Sequence, residues 1–279
     1  MPAYSTPEPI QAVIEFAVGE ARISASDRDD TVVEVQPSDQ SRDADVQAAE
    51  RTRVEFVAGR LEVKGPKQRS PFGKPGSIDV TVALPTGSRL SGTTGMGTFR
   101  SEGLLGNSRL STGAGDIVLD RTATLDADSG IGAVIAEEVG GSADVKTGSG
   151  RIRLGAVHGN AEIKNSNGDT WVGEVHGDLR VKSANGSVDV DRAQAGVEAT
   201  TANGSVRVGG LTQGSATLKT SLGAVEIGIA DGTAARLDLH TQLGSVRNQL
   251  QAADQPGPAD RVVEVHARTS AGDITIRRS

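Results

Sequence analysis

The sequence predicts an all-β chain: a single-chain parallel β-helix, or β-solenoid, of about ten short coils with an irregular N-terminal β cap. Three observations carry this. A glycine recurs at Gly97, Gly115, Gly132, Gly150, Gly168, Gly186, Gly204, Gly223, Gly244 and Gly272, with spacings of 17–21 residues until the last, which is 28. Apolar residues alternate on both sides of that glycine, the period of a strand with one buried face. Glycine is abundant at 36 residues and aromatics are only 2%, which suits a core of stacked aliphatic side chains.

The repeat is plainest in KTGSGRIRL, KNSNGDTWV, KSANGSVDV, TTANGSVRV, KTSLGAVEI and RTSAGDITI. Three positions before the glycine stand Thr94, Thr112, Ser129, Thr147, Asn165, Ser183, Thr201, Thr220, Thr241 and Thr269. Two positions after it, the column runs through Ile117, Val134, Ile152, Thr170, Val188, Val206, Val225, Val246 and Ile274. Each copy therefore reads as two short strands joined by a Ser/Thr-x-x-Gly turn, with glycine supplying a positive φ. Second turns fall near Gly106, Gly140, Gly159 and Gly177. One copy cannot bury its apolar face alone; parallel stacking at about 4.8 Å pairs its backbone with the coils above and below. The hydroxyl column is expected to satisfy turn amides.

Residues 91–279 form the regular solenoid in this reading, and residues 1–90 the cap and first irregular coils. Strands are expected at 12–18, 21–26, 31–35, 53–57, 60–64 and 78–84, with a helical turn or two within 39–50. The Pro/Gly-rich stretch 65–76 and the stretch 251–261 before the last copy read as loops. Arg277 and Arg278 place charge on the final edge, which discourages edge pairing; a flat, uncovered end would favour end-to-end polymers.

Composition narrows the function classes. Acidic residues exceed basic ones, 36 to 29, which argues against nucleic acid as a partner. With no cysteine there are neither disulfides nor thiolate metal sites. The opening MPAYSTPEPIQAVIEFAV lacks a basic n-region and an unbroken apolar run, so it does not read as a signal peptide. No stretch has the length of a membrane span. The expectation is a cytoplasmic protein without direct membrane insertion, although a route to the surface that such signals do not reveal stays open.

Few residues are left over once stacking is accounted for. The Gly-x-Gly strings are followed by no amphipathic helix, so they do not read as nucleotide sites. Aspartate follows the key glycine only at Asp116, Asp169 and Asp273, too rarely for a calcium β-roll. His158 and His176, 18 apart, should stack in adjacent coils and are weak metal candidates with Asp178 or Glu174. Trp171 occupies an outward column; with Val118 and Ile135 it is a candidate for an apolar contact stripe. Lys146, Lys164 and Lys182 line up beside an acidic column of Asp144, Glu162 and Glu198, which is either a solvated surface or a contact face. No catalytic residue and no cofactor site emerges.

The stretch TGSGRIRLGAVHGNAEIKNSNGDTWVGEVHGDLRVKSANGSVDVDRA, with the opening TPEPIQAVIEFAVGEARISASDRDDTVVEVQPSD, resembles the bacterial "putative adhesin" or toast-rack β-strand-repeat family, closest to its actinobacterial branch. The resemblance covers essentially the whole chain. It implies a right-handed β-helix and offers no catalytic residues. The functional expectation is a non-enzymatic scaffold or protein-interaction module, with a protein partner or self-association. The alternatives are an adhesin-like surface or glycan-binding protein and a self-assembling, bactofilin-like solenoid.

Overall fold

The computed structural model describes residues 2–66, 76–250 and 261–279. Residues 67–75 and 251–260, which hold most of the two expected loops, lie outside the described residues. The chain divides into two compact units, Met1–Gly140 and Gly141–Ser279. Both are β-solenoids of parallel coils, and the one described helix is Asp43–Arg51.

In the first unit the long strand Gln11–Ser26 is central. One side pairs in parallel with Arg60–Lys64 and Ser77–Pro85, the other with Arg89–Ala114. Arg89–Ala114 then pairs with Ile117–Ile131, and that strand with Val134–Val139. Gly19 sits opposite Gly97, and its φ of +137° matches the turn glycines that follow. It marks a coil that the hydroxyl signature does not reveal, because Phe16 stands where later coils have Ser or Thr. That ring packs on Phe99 instead, with centroids 5.8 Å apart.

The remaining strands of this unit are antiparallel additions. Ala3–Ser5 pairs with Asp30–Pro37, which pairs with Ser77–Pro85. Arg53–Val57 and Arg60–Lys64 form a hairpin through Ala58 and Gly59, both at positive φ. The helix carries Asp43 and Asp45 in its first turn and Arg51 in its last, which suits its dipole. Asp45 is buried and accepts the Ser77 amide at 2.9 Å, fixing the helix to the sheet.

The second unit shows the repeat most regularly. Strands Ala143–Ser149, Ala161–Asn167, Leu179–Asn185, Val197–Asn203 and Gly214–Leu222 stack in parallel on one face. Strands Ile152–Val157, Thr170–Val175, Val188–Ala193, Val206–Leu211 and Val225–Ile229 stack on the other. Inward columns such as Val145, Ile163, Val181, Ala199 and Leu218 are buried completely. Turn glycines from Gly115 onward hold φ between +133° and +155°, as the repeat requires. Gly97 is the exception: it lies within a continuous strand. It must be glycine because an added Cβ would fall 2.6 Å from the Gly19 carbonyl oxygen and 2.8 Å from the Phe16 ring.

The hydroxyl column corrects one expectation. These side chains donate to carbonyls rather than satisfying turn amides. Thr112 reaches the Gly97 oxygen at 2.9 Å, Thr201 that of Gly186 at 3.1 Å, and Thr220 that of Gly204 at 2.8 Å. In three turns the amide goes to the aspartate after a neighbouring coil's glycine: Asp116 accepts from Ala133, Asp169 from Ser187 and Asp273 from Ser245, each at 2.8 Å; at another, the Ala224 amide donates to the Ser205 hydroxyl. Asn165 replaces the hydroxyl in one coil, and its Nδ2 donates to the carbonyls of Gly150 and Gly168.

The coil order corrects another. The last coil in sequence is not the last in space. Strands Arg261–Ala271 and Ile274–Arg278 pair with Gly214–Leu222 and Val225–Ile229 on one side. On the other side they pair with Thr233–Leu243 and Val246–Asn248. Coil 261–278 is thus interior, and coil 233–248 forms the edge. The reason is chemical. Asn248 falls in the inward column filled elsewhere by Leu154, Val172, Val190, Val208, Ile227 and Ile276. Burying that amide without partners would cost about 1–3 kcal/mol, whereas Ile276 packs there fully. At the edge, Asn248 is exposed and accepts the Leu250 amide at 2.9 Å. Arg278 does not charge a free edge. Its guanidinium donates to the carbonyls of Ala230 and Thr233, clamping the connection between coils 214–229 and 233–248.

Candidate interaction surface

On one face of the second unit, strand register aligns Arg153, Trp171, Asp189, Arg207 and Glu226 in a single outward column. Trp171 is half-buried, while its neighbour Thr170 keeps the inward position without any shift of register. The indole lies over Gly173, where an added Cβ would be 2.9 Å from Cη2. The Arg153 guanidinium stacks on it, 4.3 Å from the ring centroid, a cation–π contact worth about 0.5–1 kcal/mol at such a site.

Burial pushes the Asp189 carboxyl above its ordinary value, and Arg207 only partly offsets this. The folded chain therefore holds that proton more tightly than the unfolded chain. Stability falls as pH rises from the unfolded pKa through the folded one. Asp189→Asn is expected to keep or raise the melting temperature at pH 7 and to flatten its fall across that acidic window. Thermal unfolding across pH checks this; a lower melting temperature at pH 7 would count against it.

His158 and His176 stack as expected, edge to face, with centroids 4.8 Å apart. His176 Nε2 lies 3.4 Å from Glu174 Oε1. Glu174 also accepts from Gln194 at 2.8 Å, which holds its carboxyl below the ordinary range. Asp178 turns away to accept the Gly196 amide. Among the described residues no three His, Asp or Glu side chains gather closely enough to hold a metal ion.

The charged columns lie on the opposite face. Lys146, Lys164 and Lys182 are in register. Lys146 pairs with Asp144 at 3.2 Å and Lys164 with Glu162 at 2.7 Å, both along a strand. Arg180 and Glu198 pair between coils at 2.9 Å, and Lys182 is exposed. Exposed pairs of this kind add little to stability, because solvent screens them. In the first unit, Val118 and Ile135 stand directly opposite each other, half-buried. A recess of about 250 Å³ in that unit is lined by Pro2, Val33, Glu34, Val35, Thr52 and Val54. Its one ionisable side chain, Glu34, accepts from Gln36.

The position directly before the repeat glycine went unread in the sequence, and it proves to face solvent in most coils. Exposed large apolar side chains concentrate there: Met96 and Ile131 in the first unit, at 55% and 64% exposure, and Leu222 and Leu243 in the second, at 56% and 73%. Register places Ala271 between Leu222 and Leu243, so these three form a short apolar ridge. Elsewhere in the second unit the same corner carries Asn167, Asn185 and Asn203, whose amides bond coil to coil at 2.8–2.9 Å. Reading that column down the repeats would have exposed the change from amide to leucine.

The Toastrack DUF4097 family model matches residues 13–210. No curated protein matches the chain. Among solved structures, a "putative lipid binding protein" from Parabacteroides distasonis is 12% identical, with 99% of this chain and 96% of that one covered, at a TM-score of 0.41. A "putative adhesin" from Parabacteroides merdae is 11% identical, with 98% and 94% covered and the same TM-score. A "putative adhesin" from Bacteroides fragilis is 12% identical, with 99% and 95% covered, at a TM-score of 0.35. Among the described residues no helix is long and apolar enough to cross a membrane.

Proposed function

The chain belongs to the Toastrack family, and we propose that it acts as a non-enzymatic β-solenoid scaffold that binds protein through the corners of its coils. The observation that supports this reading is that large exposed apolar side chains precede the repeat glycine in each unit, Met96 and Ile131 in the first and Leu222 and Leu243 in the second, while charge pairs lie on the flat strands of the second unit. Exposed apolar side chains grouped on a rigid frame mark contact surfaces, and a backbone laddered coil to coil presents them with little ordering cost on binding. Cytoplasmic location is part of the reading.

Affinity capture from the native host tests it, with the captured protein identified and its affinity then measured. Met96→Lys with Ile131→Lys, or Leu222→Lys with Leu243→Lys, is expected to weaken that affinity about tenfold or more. The positions are exposed, so stability should change by less than about 0.5 kcal/mol. Equal affinity for wild type and both double variants would sink the corner reading. Recovery of the protein at the cell surface would move the function toward an adhesin.

A further inference from the structure

The edge coil 233–248 offers a second kind of surface. Strand Thr233–Leu243 pairs only with Arg261–Ala271, and Val246–Asn248 only with Ile274–Arg278, among the described residues. One row of backbone donors and acceptors on each strand therefore faces outward. The usual protections of such an edge are a very short strand, charged side chains and lysine above all, a proline, a bulge, an inward-pointing charge or a covering element. Strand Thr233–Leu243 is 11 residues long, has no proline, no lysine and no inward charge, and pairs without a bulge; its outward charges, Arg236 and Asp238, are of opposite sign. Its inward positions Ala235, Leu237, Leu239 and Thr241 are half-buried, while their counterparts one coil in, Val263, Val265, Ala267 and Thr269, are buried completely or nearly so.

We propose that this edge is a self-association surface, at which a second copy of the chain docks its own coil 233–248 through an antiparallel, two-fold contact. Charge and pattern together select the occupant. A two-fold contact requires the strand to complement itself. With the axis at Leu237, Arg236 meets the partner's Asp238 and Asp238 meets the partner's Arg236. In the same register Ala235 meets the partner's Leu239, so apolar side chains stay on the inward face. Shifting the axis to Asp238 would set that carboxylate against itself. Arg236 and Asp238 both lie on the outward face of the strand, and Asp238 stands beside His266 at 3.2 Å and Arg268 at 3.6 Å. An isologous contact of this kind closes at a dimer and does not grow into a polymer.

Sedimentation velocity over a concentration series tests the proposal on the full chain. The wild type is expected to show a reversible monomer–dimer equilibrium. Arg236→Asp places two pairs of like charges across the axis, and Asp238→Arg does the same with the opposite sign. Each is expected to weaken the dimer about tenfold or more. The double variant Arg236→Asp/Asp238→Arg restores opposite pairs and should recover dimerisation, which local unfolding of the edge would not do. Leu237→Lys sets a charge on the half-buried inward side of the edge and should give a monomer whose circular dichroism matches the wild type, at a somewhat lower melting temperature. A wild type that stays monomeric throughout, that forms open-ended polymers, or whose dimer ignores all of these changes would overturn the proposal. The proposal deepens the scaffold reading, but its variants avoid the corner residues. Loss of the captured partner and loss of the dimer are therefore separately readable.

Discussion

Ile276→Ala is expected to lower the unfolding free energy by about 2–5 kcal/mol, while Asn248→Ala should change it by less than about 0.5 kcal/mol. The two residues stand opposite each other in one inward column. Ile276 is fully buried between neighbouring coils; Asn248 is exposed on the outermost one. If the coils stacked in sequence order, Ile276 would lie at the edge and Asn248 inside, and the ranking would reverse. Urea unfolding of both variants, with midpoints compared at a common slope, reads the order directly. Comparable losses, or a larger loss at Asn248, would contradict the insertion of coil 261–278 between 214–229 and 233–248.

Gly186→Ala is expected to cost about 3 kcal/mol or more. Gly186 holds φ at +137°, a region that side chains rarely enter. An added Cβ would also fall 2.1 Å from the Gly168 carbonyl oxygen and 2.5 Å from its carbon. Both atoms belong to the neighbouring coil's backbone, which the parallel ladder holds in place, so relief would require parting the coils. Gly232→Ala separates the two contributions. Its φ is +71° and an added Cβ meets nothing within 4 Å, so only the conformational cost of about 1–2 kcal/mol remains. Equal melting temperatures for the two variants would show that coil contact contributes nothing at Gly186.

The spacing of the turn glycines and the alternation around them made the coil legible. Strands at Arg53–Val57 and Arg60–Lys64 appear where the pattern placed them, and 12–18 with 21–26 merge into the single strand Gln11–Ser26. The coil around Gly19 was hidden because Phe16 replaces the hydroxyl, and an aromatic at that position breaks the column that the eye follows. The direction of the hydroxyl bonds was hidden for another reason: Ser and Thr both donate and accept, so composition does not say which backbone group they meet. The stacking of His158 on His176 and the register of Lys146, Lys164 and Lys182 followed from the repeat alone. The half-burial of Trp171 did not, since it depends on Gly173 leaving room and on Arg153 covering the ring.

What the sequence determined by itself is the coil: its length, its glycine turn, its inward columns and the need to stack, because one copy cannot bury its own apolar face. What only the tertiary structure decided is which coil lies against which, and hence which strands are left open. Every copy presents nearly the same inward pattern, so local preference is almost indifferent to order. The choice falls to a few side chains felt only after stacking: the amide of Asn248, which avoids the core, the apolar column ending in Ile276, which needs it, and Arg278, which closes over the carbonyls of Ala230 and Thr233.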